Sequence, residues 1–152
     1  MDASLLSHIT SKPAEVAGLI TLLNYIKTVA GEPIAPDQMS LHPVSHAPTG
    51  TDNSFGTYSL LKSRGYEQEY IHNDVLKLKL YHTNFEMVLT QAALLVEKLH
   101  PDNAELVTAL EGAGLRVLDI LCVNVASGQG AFVDGTERFN EDFSIVIQYV
   151  VL

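Results

Sequence analysis

Apolar residues recur at Val16, Leu19, Ile20, Leu23, Ile26 and Val29, three and four positions apart, and this spacing predicts a helix with one buried face. Pro13 suits the first turn, while Gly31 and Pro33 stop it, so the helix spans about 13 to 30. From Glu32 to Phe55 the period dissolves into prolines at 33, 36, 43 and 48 among small polar residues, which predicts a long loop. Loops of that length inside a compact domain are usually functional or disordered, so this stretch reads either as an arm reaching a neighbouring subunit or as a mobile surface loop.

A two-residue period takes over next. Strands are predicted at about 56–63 and 69–81, the second on the alternation of Leu76, Leu78 and Leu80 with Lys77, Lys79 and Tyr81. Ser63 to Tyr66 can turn between them, giving an antiparallel pair. Thr83-Asn84-Phe85-Glu86 has the form of a capping box with the threonine as cap. It predicts a helix burying Val88, Leu89, Ala92, Leu95, Val96 and Leu99. Pro101-Asp102-Asn103-Ala104-Glu105 opens a shorter helix through Leu106 and Leu110, which stops at Gly112-Ala113-Gly114.

Leu115 to Val123 is apolar on nearly both faces and is predicted to be a central strand, followed by a flexible connection at Ala126 to Gly130. The terminal strand alternates: Phe139, Phe143, Ile145, Ile147 and Tyr149 share one face, and Arg138, Asn140, Asp142, Ser144 and Gln148 the other. No repeat or linker interrupts this order. The prediction is a single α+β domain over residues 1–152, with an antiparallel or mixed sheet of about four strands and helices packed on one face.

At 152 residues the chain can bury a core without disulfides, and its single cysteine, Cys122, reads as a small buried hydrophobe. The N-terminus has no basic stretch followed by an apolar core, and no apolar run approaches a membrane span. A cytoplasmic protein with no membrane partner is expected. Nine basic residues against eighteen acidic ones give a net charge of -9, the wrong sign for holding nucleic-acid phosphates.

Candidate chemistry is sparse. His42 and His46 have the spacing of helical metal ligands, but Pro43 and Pro48 disfavour a helix there and no third ligand lies near, so no metal is expected. His72, His82 and His100 fall at element ends and read as structural. Asp134 and Glu137 near Arg138 sit in a polar loop without an evident pocket, which argues against acid–base catalysis. Gly128-Gln129-Gly130 lacks the third glycine and the following helix of a phosphate cradle, and no nucleophile elbow is present. No catalytic residue and no cofactor are assigned, and a non-enzymatic role is expected.

Residues from about Val75 to Leu152 resemble the neck or tail terminator proteins of tailed bacteriophages. The resemblance rests on a strand ending at Tyr81-His82, a striped helix, a short helix closing as Leu110-Glu111-Gly112-Ala113-Gly114-Leu115, and a strand with Val117-Leu118-Asp119-Ile120. Glu137-Arg138 then leads into a final alternating strand; Gly135 and Thr136 stand where the family carries a tryptophan. The resemblance implies a virion protein, present in the host cytoplasm during assembly, that forms a ring, usually a hexamer. Such a ring caps the tail tube, meets the tube and in some phages the sheath, and joins the head connector, with genomic DNA passing through its lumen unbound. A ring needs head-to-tail contacts that close on themselves. The loop at 32–55, the loop at 128–138 and the exposed face of the last strand are the expected contact surfaces, with Gln129, Phe132, Asp134, Glu137, Arg138 and Asn140 as candidate residues. In such a ring, acidic side chains lining the lumen would repel passing DNA. A head-completion or connector protein of the adjacent ring is an alternative, as is a small cytosolic α+β enzyme or ligand-binding domain.

Overall fold

The alternation of Leu76, Leu78 and Leu80 with lysines forms the middle of a sheet in the computed structural model, which describes residues 13–34, 39–46, 54–62, 71–133 and 136–152. Helix α1 (Pro13–Gly31) is followed by the short strand β1 (Leu41–Pro43) and a 3-10 turn at Val44–His46. Then come β2 (Ser54–Lys62), β3 (Ile71–His82), α2 (Phe85–Lys98), α3 (Ala104–Gly112), β4 (Leu115–Val133) and β5 (Thr136–Val151). The five strands make one sheet in the order β1-β2-β3-β5-β4; all neighbours are antiparallel except β1 and β2. The α+β class is as the sequence predicts, with one strand more than expected.

One face of the sheet carries the helices. Tyr58, Leu76, Leu78, Leu80, Ile120, Cys122, Phe143, Ile145, Ile147 and Tyr149 project from it into a single core with the apolar stripes of α1, α2 and α3. Close approach locks α1 to β4, because a Cβ on Gly18 would collide with the buried Leu115 side chain. Gln91, fully buried in α2, donates through Nε2 to Ala30 O at the end of α1 (2.8 Å) and to Ser54 Oγ at the start of β2 (3.2 Å), tying three elements together. Gly114, at φ 102°, turns the chain from α3 into β4, a conformation that only glycine adopts at little cost.

Four sequence expectations need correction. The loop at 32–55 is partly built into the sheet: Met39 and Leu41 are buried and β1 pairs with β2, so 39–46 is not a detached arm, and its remaining stretches, 35–38 and 47–53, lie outside the described residues. The cap of α2 is Asn84, whose Oδ1 accepts from Met87 N at 3.1 Å, and not Thr83. Leu89 and Val96, expected in the buried stripe of α2, are 40% and 43% exposed. Finally, β4 is an edge strand that runs on through the expected connection at 126–130 to Val133. The turn expected at 63–66 lies outside the described residues.

Candidate assembly surface

The face of the sheet turned away from the helices is built by the odd positions of β2 and β3 and the even positions of β5. Register places Leu61 beside Val75, Val75 beside Val146, and Val146 beside Leu121, so an apolar row crosses four strands. Leu61 and Leu121, at its ends, are 58% and 57% exposed. Along β4 the patch continues through Val123 and Val125, also exposed. Bulges occur between Val117 and Asp119, Asn124 and Ala126, and Gln129 and Ala131; Leu118 and Val125 occupy the first two. Bulges twist an edge strand and re-aim its side chains.

Beside the apolar row lies a polar ladder. Lys77 Nζ donates to Ser144 Oγ at 3.3 Å, Lys79 Nζ lies 3.7 Å from Asp142 Oδ2, and Asn140 Nδ2 donates to Asp142 Oδ1 at 2.8 Å. An open hollow of about 200 Å³, bordered by Val44, Thr57, Ser59, Lys77, Lys79 and Val125, sits over this ladder.

Where β5 leaves its pairing with β3 at Phe139, the β4–β5 hairpin continues alone as far as Val133 and Thr136. Arg138 fixes its base. The side chain is buried, its guanidinium carbon 5.2 Å from the centre of the Phe55 ring, and Phe55 stacks on Tyr81 at 4.8 Å. On the other face Ser127 Oγ donates to the buried Glu141, and Phe139 packs against Phe85 of α2 at 5.2 Å.

The expected contact residues therefore divide. Asn140 lies on the open face, half-buried in the ladder, and Glu137 is exposed. Arg138 does not share a surface with Glu137, because adjacent strand residues point to opposite faces, and its burial makes it a structural cation within the subunit. That corrects its assignment as a surface contact. Gln129 and Phe132 belong to β4, paired with Phe139 and Glu137; their side chains, like Asp134 altogether, lie outside the described residues.

Groups capable of chemistry are engaged structurally. Tyr149 donates to Asp74 Oδ2 at 2.6 Å with both side chains fully buried, and the His72 ring stacks on Tyr149 at 5.1 Å. Burial pushes the Cys122 thiol up to about 11, leaving little thiolate near neutrality. His42 Nε2 is 2.9 Å from Ser40 Oγ, and among the described residues no group of three His, Cys, Asp or Glu side chains is placed to hold a metal. Among the described helices none is long and apolar enough to cross a membrane.

The apolar row is what sequence reasoning missed. The signal is present in Leu118 to Val123, whose apolar residues on both faces equally predict a strand covered on both sides. Comparison of the chain with protein-family models and with curated proteins gives no match.

Proposed function

We propose that this chain is a structural virion subunit of the neck or tail terminator kind, assembling into a ring, by the resemblance a hexamer, that caps the tail tube of a bacteriophage and joins it to the head connector. The observation that supports this reading is the apolar row on the open sheet face, exposed at Leu61 and Leu121 and continuous with β4, an edge strand among the described residues. Isolated exposed apolar side chains are ordinary, whereas a contiguous set aligned by strand register marks an interaction surface. An open edge strand with such a face would also invite uncontrolled pairing, so it suits a protein whose neighbour covers it.

A structural role also accords with where the polar chemistry lies. The buried Tyr149–Asp74 pair is closed off from substrate, and the hollow at Lys77 and Lys79, about 200 Å³, is smaller than the ~300–1,000 Å³ of typical small-molecule sites. In the ring, tail tube and connector meet opposite rims, and DNA crosses the lumen without being bound.

Electron microscopy of particles assembled without the protein tests the proposal. Overlong tails, or tails unable to join heads, are the expected outcome. Normal infectious particles would refute it.

A further inference from the structure

His82 ends β3 on the face of the sheet that carries the helices, and it stands two residues before the cap of α2. The side chain is buried, and its Nδ1 accepts from Asn84 N at 2.8 Å, so the neutral ring carries its proton on Nε2. Asn84 in turn caps α2: its Oδ1 accepts from Met87 N, and its backbone O accepts from Val88 N at 3.2 Å. Phe85, the first residue of that helix, meets the Phe139 ring at 5.2 Å. Phe139 is the register partner of His82 itself, at the last position that β5 shares with β3 before the β4–β5 hairpin continues alone. A single imidazole nitrogen therefore heads a series of contacts that runs through a turn and a helix cap to one side of the hairpin base. Arg138 over Phe55 holds the other side.

The groups around the ring decide how a proton acts on it. From β2 the ring faces Ser54, whose hydroxyl accepts from Gln91 of α2; both are neutral. From β5 come Phe139 and, two residues along the same face, Glu141, which is buried and accepts from Ser127 of β4. The first turn of α2 brings Glu86, which is exposed. Among the described residues no ion pair joins His82 to either acid. Burial without a paired acid disfavours the charged ring, and the pKa lies below the ordinary 6.5. A proton on Nδ1 would set N–H against the Asn84 N–H, and it would place a positive charge at the positive end of the α2 dipole. Both effects act on the same turn.

We propose that His82 is an acid-sensitive latch: its protonation opens the turn to Asn84, frays the first turn of α2 and unseats Phe85 from Phe139, loosening the base of the β4–β5 hairpin while the rest of the sheet stays folded. The latch belongs to the single chain and stands apart from the ring reading. Opening returns the ring to water, where it takes up a proton near its ordinary 6.5. One proton is linked to one opening, so the open population grows by up to ~10-fold per pH unit from there down to the folded pKa, and levels off below it. Local opening of this kind draws on a helix end and a cap, which are among the least protected parts of a fold.

Residue-resolved amide hydrogen exchange on the full chain, between about pH 7.5 and about pH 5.5, tests the latch, with protection factors removing the intrinsic pH dependence of exchange. Protection at Asn84 and Met87 should fall by up to ~10-fold over the last pH unit, while the amides of the central strands keep theirs. The nuclear Overhauser contact between the Phe85 and Phe139 rings should weaken over the same range. His82→Asn sets Oδ1 where Nδ1 stands and does not titrate, so it should keep the turn and flatten both profiles. His82→Gln takes its place if the asparagine variant melts abnormally. Glu86→Gln, at an exposed acid, should leave the wild-type profile as it is. The latch is overturned by a flat wild-type profile, by a profile as steep in the folded His82 variants as in wild type, by a slope that Glu86→Gln abolishes, by loss of protection shared with the central strands, or by a Phe85–Phe139 contact that persists at the acid end.

Discussion

At the residue scale, the buried polar groups decide how the sheet answers mutation and pH. Tyr149 donates to the side chain of Asp74, which is fully buried, so Tyr149→Phe removes one of that acceptor's partners without changing shape. A loss of about 1–3 kcal/mol is expected, read as a lower urea midpoint at unchanged slope. A midpoint equal to wild type would contradict this role. His82 adds a pH dependence. Burial lowers its pKa below the ordinary 6.5, and its Nδ1 accepts from Asn84 N at 2.8 Å, a bond that protonation destroys. The unfolded chain therefore takes up the proton more readily than the folded one. The stabilisation is complete above about 6.5 and is lost as pH falls through that value towards the folded pKa. Melting temperature should fall more steeply between pH 8 and pH 5 in wild type than in His82→Gln; parallel curves would show that His82 is not the group responsible.

At the scale of elements, Gly18 lets α1 approach β4 closely. Gly18→Ala would drive a methyl group into Leu115, which is 1% exposed and has no room to withdraw, so overpacking of about 1–3 kcal/mol is expected. Adding Leu115→Val should recover part of that loss in a double-mutant cycle, whereas strict additivity would show that the two residues do not press on one another. Elements whose signal is local were legible in the sequence. The bounds of α1, the alternation of β3 and β5, and the Gly112-Ala113-Gly114 stop all follow from period and punctuation. What escaped was non-local. Three residues of β1 have too little pattern to predict pairing, and the edge position of β4 depends on β5 inserting beside β3, which no property of Leu115 to Val123 reports. Arg138 escaped for the same reason, since its stacking partner Phe55 lies on another strand. Leu89 and Val96 kept helical spacing with the core residues, and only the width of the covered face shows that they lie outside it.

At the scale of the whole molecule, the distribution of charge bears on the fate of DNA in the lumen of the proposed ring. Of the basic side chains on the open face, Arg138 is buried and Lys79 is engaged by Asp142, leaving Lys77 and Arg116 as the described cations on that face best placed to meet a phosphate. Two or three phosphate contacts correspond to a salt slope of only about 2 to 3 in log affinity, against around 10 for a dedicated DNA-binding protein. The net charge of -9 opposes even that weak attraction, and low salt, with a Debye length of about 30 Å at 0.01 M, extends the repulsion over the whole subunit. The expected result is that the purified chain fails to retard duplex DNA at any salt concentration, including the lowest, where proteins that grip phosphate bind best. Retardation at low salt that weakens with a slope of 3 or more would mean that the basic side chains act as a phosphate-binding surface. The net acidic charge would then no longer dominate the field that DNA meets, and passage through the proposed ring would be braked.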